Sequence, residues 1–117
     1  MMSFEGSSGL PEHALRRVTG YIADNLHRSL RLAELSAVVH MSPFHFARLF
    51  KRSTGVPPHR FVVRRRIDRA IASLSTSTTP IGTIAHEVGF RTPSHFTTTF
   101  RRITGMTPSA LGRPAHE

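Results

Sequence analysis

Apolar residues recur at helical spacing through nearly the whole 117-residue chain, and Ser, Thr, Pro or Gly bound each run. Leu15, Val18, Ile22 and Leu26 predict an amphipathic helix from Pro11 to near His27. Its Gly20 lowers helix propensity by about 1 kcal/mol against Ala, so this helix must depend on packing. Leu32, Leu35 and Val39 predict a short helix before a turn at His40-Met41. Ser42 and Pro43 then start a helix whose buried face is Phe46, Leu49, Phe50 and Ser53, and Gly55 stops it. Pro57-Pro58 open a longer helix reaching about Ser75. Phe61, Ile67, Ala70, Ile71 and Leu74 form its apolar side, and Arg64, Arg65, Arg66 and Arg69 its charged one. After the polar stretch 75–79, Ile81, Ile84 and Val88 give a second short helix, and Gly89-Phe90-Arg91 a second turn. Thr92-Pro93 then start a helix that buries Phe96, Thr99, Phe100 and Ile103 and ends at Gly105. Thr107-Pro108 begin a final short helix, with Ala110 and Leu111 closing the core. With Thr79-Pro80 included, the Ser/Thr-Pro start occurs four times.

This order contains a repeat. SPFHFARLFKRSTG at 42–55 returns as TPSHFTTTFRRITG at 92–105, with seven of fourteen positions identical. They are Pro43/Pro93, His45/His95, Phe46/Phe96, Phe50/Phe100, Arg52/Arg102, Thr54/Thr104 and Gly55/Gly105. Recurrence at a fixed offset means that one structural unit is used twice. The buried faces of the copies agree, while the outward ones do not: Phe44, Ala47, Arg48 and Lys51 against Ser94, Thr97, Thr98 and Arg101. Two readers of different text need this arrangement. Each copy, with the short helix and tight turn before it, is a helix-turn-helix, and the second turn is one residue longer than the first. The expected fold is all-α, with about seven helices: two helix-turn-helix subdomains joined by a long linking helix. The expected boundaries are a flexible leader at 1–10, the first subdomain at 11–56, the linking helix at 57–76, the second subdomain at 77–113 and a tail at 114–117. A linking helix of eighteen residues spans roughly 27 Å, the order needed to hold two recognition helices one DNA turn, about 34 Å, apart.

Charge narrows the choice of partner. Lys and Arg number 16 against seven acids, a net +9. Residues 1–41 hold four of each sign, whereas Ser42 to Arg113 holds twelve bases and only Asp68 and Glu87. The excess lies on and after the first repeated helix, which points to a polyanion. Fifteen of the sixteen bases are Arg, suited to bidentate contact with phosphate or guanine. Without cysteine there is neither a disulfide framework nor a thiolate metal site. His40 and His86 have no partner at ligand spacing on one helix face, so no metal and no cofactor is expected. With no basic-then-apolar leader and no apolar run near the ~20 residues of a membrane helix, a soluble cytosolic protein is expected.

Three stretches carry a resemblance: LAELSAVVHMSPFHFARLFKRSTGVPPHRF (32–61), RRIDRAIASL (65–74) and IGTIAHEVGFRTPSHFTTTFRRITGMTPSAL (81–111). Together they resemble the DNA-binding domain of the AraC/XylS family of bacterial transcription regulators. The most diagnostic run is Ile84-Ala85, Val88-Gly89-Phe90, Phe96, Phe100 with its basic neighbours, Gly105 and Pro108. The resemblance implies a regulator on the bacterial nucleoid that binds asymmetric double-stranded DNA sites. Its two recognition helices would enter successive major-groove segments, and it would usually activate transcription by contacting RNA polymerase. Most members carry a separate ligand-sensing or dimerising domain and a minority only this one; no such domain is read here, so no effector is expected within the chain.

Carried over by position, the resemblance places Phe44, Ala47 and Arg48 at base-reading places in the first unit, and Ser94, His95, Thr97 and Thr98 in the second. A guanidinium at Arg48 can fork onto guanine O6 and N7, and Phe44 can meet a thymine methyl. Ala47 departs from the long polar residues often found there, and Thr98 sits where many relatives have Arg, so the second unit is expected to read fewer bases. Phosphate contacts fall to Lys51, Arg52, Arg91, Arg101 and Arg102, and to the two helix starts at Ser42 and Thr92. For Arg66, a role bridging the core outweighs DNA contact. His45 and His95 lie beside buried Phe residues, where packing or a backbone contact would explain either.

Other classes fit less well. No Gly-rich phosphate loop, Cys nucleophile or paired carboxylates support an enzyme. A sequence-blind architectural or RNA-binding protein would not need unlike outward faces. A membrane-active basic helix conflicts with basic residues that alternate with a core face.

Overall fold

The structure, a computed structural model, describes residues 9–112. Seven helices and no strand occur among them: α1 Glu12–Asp24, α2 Leu32–Val38, α3 Pro43–Thr54, α4 Pro58–Thr76, α5 Ile81–Glu87, α6 Pro93–Thr104 and α7 Pro108–Gly112. The chain packs as two units. Among the described residues, 9–25 together with 29–63 make the first, and 26–28 with 64–112 make the second. α4 contributes its first turns to one and the remainder to the other.

In the first unit α1 packs on α2 and α2 on α3. Its buried apolar residues are Leu10, Ala14, Val18, Ile22, Leu35, Phe46, Phe50 and Val62. Phe46 and Phe50 lie one helical turn apart with ring centroids at 5.4 Å, and Phe61 meets Phe50 edge-on at 5.1 Å. Leu10, at the end of the stretch read as a leader, is buried, and its N–H donates to Ser53 Oγ at 2.8 Å. The face of α1 is turned slightly from the expected one, with Ala14 buried and Leu15 half-buried. α1 also stops at Asp24, three residues before the expected end. Asn25 there donates its side-chain amide to the Tyr21 carbonyl, and Leu26 is buried outside the helix.

The second unit centres on Ile67, Ala70, Leu74, Ile84, Ala85, Val88, Phe90, Phe96 and Phe100, with Ile71, Ile81, Ile103 and Leu111 packed around them. Phe96 and Phe100 repeat the aromatic pair of the first unit, with centroids at 5.5 Å. Ala110 is exposed rather than part of the core, and Pro108 is buried in this segment instead.

Both short helices end in the same way. The Met41 N–H donates to the Ser36 carbonyl and the His40 N–H to Ala37, just as Phe90 donates to Ala85 and Gly89 to His86. This is the Schellman pattern, which requires a left-handed residue at His40 and Gly89. His40 adopts φ 58° and Gly89 φ 100°. Only the second position forbids a side chain outright: a Cβ on Gly89 would lie 2.1 Å from the Leu26 carbonyl oxygen and 2.7 Å from Arg66 Nε. Arg66 fills this corner. Its Nε donates to the Leu26 carbonyl at 3.1 Å and its Nη2 to the Arg28 carbonyl at 2.7 Å. Burial lowers its pKa from the ordinary arginine value, yet a guanidinium stays charged throughout the physiological range. The expected core-bridging role of Arg66 is the observed one.

Candidate nucleic-acid interface

Each recognition helix is bounded by the chemistry expected of its ends. Ser42 Oγ accepts the His45 N–H at 3.3 Å and Thr92 Oγ1 accepts the His95 N–H at 3.1 Å, each with proline at the first helical position. Gly55 at φ 88° and Gly105 at φ 81° stop the helices. Thr107 caps α7 likewise, accepting the Ala110 N–H at 3.1 Å. The fourth Ser/Thr-Pro start behaves differently. Pro80 itself is the residue before α5, so the helix begins one place later and its cap position carries no side-chain hydrogen bond.

A further repeated element was not assigned a role from the sequence. Thr54 Oγ1 lies 3.0 Å from the Phe50 carbonyl and 2.9 Å from the Val56 carbonyl, and it accepts the Val56 N–H at 3.3 Å. Thr104 makes the same set with Phe100 and Met106, at 2.9, 3.1 and 3.1 Å. The identity of Thr54 and Thr104 in the two copies was the available signal. A hydroxyl that both donates and accepts closes the last turn over the αL glycine.

On α3, Phe44, Ala47, Arg48 and Lys51 fall on one face at helical spacing. Phe44 is 79% exposed, an unusual position for a large aromatic ring. Arg48, Lys51 and Arg52 are exposed, and Ala47 is half-buried beneath them. Ser42 is exposed as well; its oxygen accepts a cap bond, which leaves its O–H proton able to donate to a phosphate. On α6, Ser94, His95, Thr98, Arg101 and Arg102 are exposed and Thr97 is half-buried. Thr97, Thr98, Arg101 and Arg102 line a shallow groove of about 410 Å³. Arg91 and Thr92 stand exposed just ahead of the helix. His95 differs from its neighbours in that its ring meets buried Phe90 edge-to-face, with centroids 5.3 Å apart. Each predicted residue thus lies on or just before its own recognition helix. Every cation named for phosphate contact is exposed.

Such a pair of outward faces over matching cores has known counterparts. The family model described as a helix-turn-helix domain matches residues 35–113. The chain belongs to the AraC/XylS family. LumQ of Photobacterium leiognathi, a probable transcriptional regulator, is 35% identical over 92 residues, covering 79% of this chain and 37% of LumQ. The arabinose operon regulatory protein of Escherichia coli K12 is 31% identical over 99 residues, 84% of this chain and 34% of that protein. Among solved structures, the DNA-binding domain of AdpA in complex with a target DNA superposes with TM-score 0.79 at 31% identity, covering 83% of this chain and 87% of that one. An AraC-type regulator from Chromobacterium violaceum gives TM-score 0.81 at 25% identity over 92% of this chain and 93% of its own. The two units are those of this family's DNA-binding domain. The chain spans between 34% and 44% of the length of the first curated relatives it matches.

Proposed function

We propose that the chain recognises an asymmetric double-stranded DNA site with α3 and α6, each entering one of two successive major-groove segments. Phe44, Ala47 and Arg48 read bases in one segment, and Ser94, His95, Thr97 and Thr98 in the other. Lys51, Arg52, Arg91, Arg101 and Arg102, with the helix starts at Ser42 and Thr92, hold phosphates and set the register. The chain has no catalytic role in this reading, and it acts at promoters in the bacterial cytoplasm, as an activator that contacts RNA polymerase. No helix among the described residues is long and apolar enough to cross a membrane.

One observation carries the reading: the recognition helices share a buried aromatic pair and both caps but present unlike side chains outward. A purely architectural protein has no use for that difference. Phe44 adds to it: its ring is 79% exposed on the outward face of α3, where it is available to a thymine methyl. The rival is tested by competition. At fixed salt, a duplex selected from a random pool should bind about 10³-fold or more tightly than unselected DNA. Equal affinity for the two would identify a sequence-blind binder.

A further inference from the structure

His45 and His95 occupy the same place in the two recognition helices, the third residue after the capping side chain, and both are exposed. Each backbone N–H is held by its cap. The rings differ. His95 lies against Phe90 at 5.3 Å with the planes 76° apart. Phe90 is itself anchored in the core: it is 5% exposed, its N–H donates to the Ala85 carbonyl at 2.9 Å, and its ring packs against Phe96 at 5.3 Å. In the first unit Met41 holds the matching turn position, bonded in the same way to Ser36. No aromatic ring contacts His45 among the described residues.

We propose that Phe90 is a positioning residue for base reading by His95, and that His45 reads no base. The inference rests on the reading of α6 given above. An exposed imidazole samples several rotamers, and fixing one on binding reduces affinity. Edge-to-face packing on a buried ring orders the imidazole before DNA arrives. An ordered ring aims one nitrogen in a fixed direction, toward an acceptor such as guanine N7 or O6, or thymine O4. A free ring such as that of His45 adapts to whatever is near, which suits a phosphate and discriminates nothing.

The test measures affinity of the whole chain for a selected duplex and for each of its single base-pair variants, comparing wild type with F90M, H95A, F90M/H95A and H45A. H95A should flatten the preference at one or two adjacent base pairs. F90M should flatten the same positions, with roughly a two- to tenfold loss on the preferred base. The double variant should lose no more than H95A alone, and H45A should weaken all duplexes by one common factor. A uniform loss in F90M, or F90M and H95A losses that multiply, would make Phe90 a core residue only. A preference flattened by H95A but intact in F90M removes this inference alone, while unchanged preferences in H95A remove base reading by His95 as well. Should F90M fail to fold, proton NMR of the free wild-type chain decides. Cross-relaxation between the Phe90 and His95 rings is expected, and its absence overturns the proposal.

Discussion

Two residues at matching turns show how differently one backbone demand can be met. His40 and Gly89 are both left-handed, which costs a side-chain-bearing residue about 1–2 kcal/mol. His40→Gly should therefore raise stability by roughly 0.5–1 kcal/mol, after the extra freedom glycine gains in the unfolded chain is discounted. Gly89→Ala should lower it by about 2–5 kcal/mol, because its Cβ would meet the Leu26 carbonyl and Arg66 as well as the strained φ. Denaturant midpoints of the two variants check both signs; a tolerated alanine at 89 would mean that the corner is not filled as described. Gly89 was legible in the sequence as a turn residue, but its crowding was not, since Arg66 and Leu26 lie far from it along the chain. The first turn was readable only as an exception to glycine chemistry. Among the reading residues, Arg48→Ala should reduce discrimination by about 1–3 kcal/mol at one or two adjacent base pairs. Equal loss for every sequence would make Arg48 a phosphate ligand.

Helix ends were legible because they are local. A hydroxyl followed by proline, and a glycine twelve residues later, set the limits of α3 and α6 without reference to the rest of the fold. Thr79-Pro80 shows the limit of that logic: the same dipeptide starts α5 one residue later, with Pro80 rather than the threonine at the cap position. The end of α1 could not be read, because Leu26 and Arg28 leave the helix to give their carbonyls to Arg66, forty and thirty-eight residues away. Core faces are fully buried at their centres and only partly at their margins. Phe46, Phe50, Phe96 and Phe100 are fully buried, while Leu49, Ser53 and Ile103 are only half-buried, since period alone does not give the width of a stripe. Phe100→Ala should cost about 3–5 kcal/mol by opening a cavity among Phe96, Ile84 and Leu74. An unchanged thermal midpoint would contradict the packing of α6.

For the whole molecule, charge is the property that matters most. The basic excess from Ser42 onward, with Lys51, Arg52, Arg91, Arg101 and Arg102 all exposed, predicts strong salt dependence. Five phosphate contacts imply a slope of about −4.5 in log K against log salt. Arg101→Ala should flatten that slope by about one and weaken all duplexes alike; a response indifferent to salt would exclude the phosphate contacts. The sequence made the family legible, since the repeat, the caps and the charge all pointed to paired DNA-reading helices. It could not show that identical histidines have unlike surroundings, because Phe90 becomes a neighbour of His95 only once the longer turn is folded.

The central claim, that both recognition helices lie in major grooves, is tested most directly by methylation interference at guanine N7, an atom exposed only in that groove. On a selected site, interfering guanines should fall in two blocks about 10–10.5 base pairs apart, the first lost in Arg48→Ala and the second retained. A single block, or none despite tight binding, would contradict it.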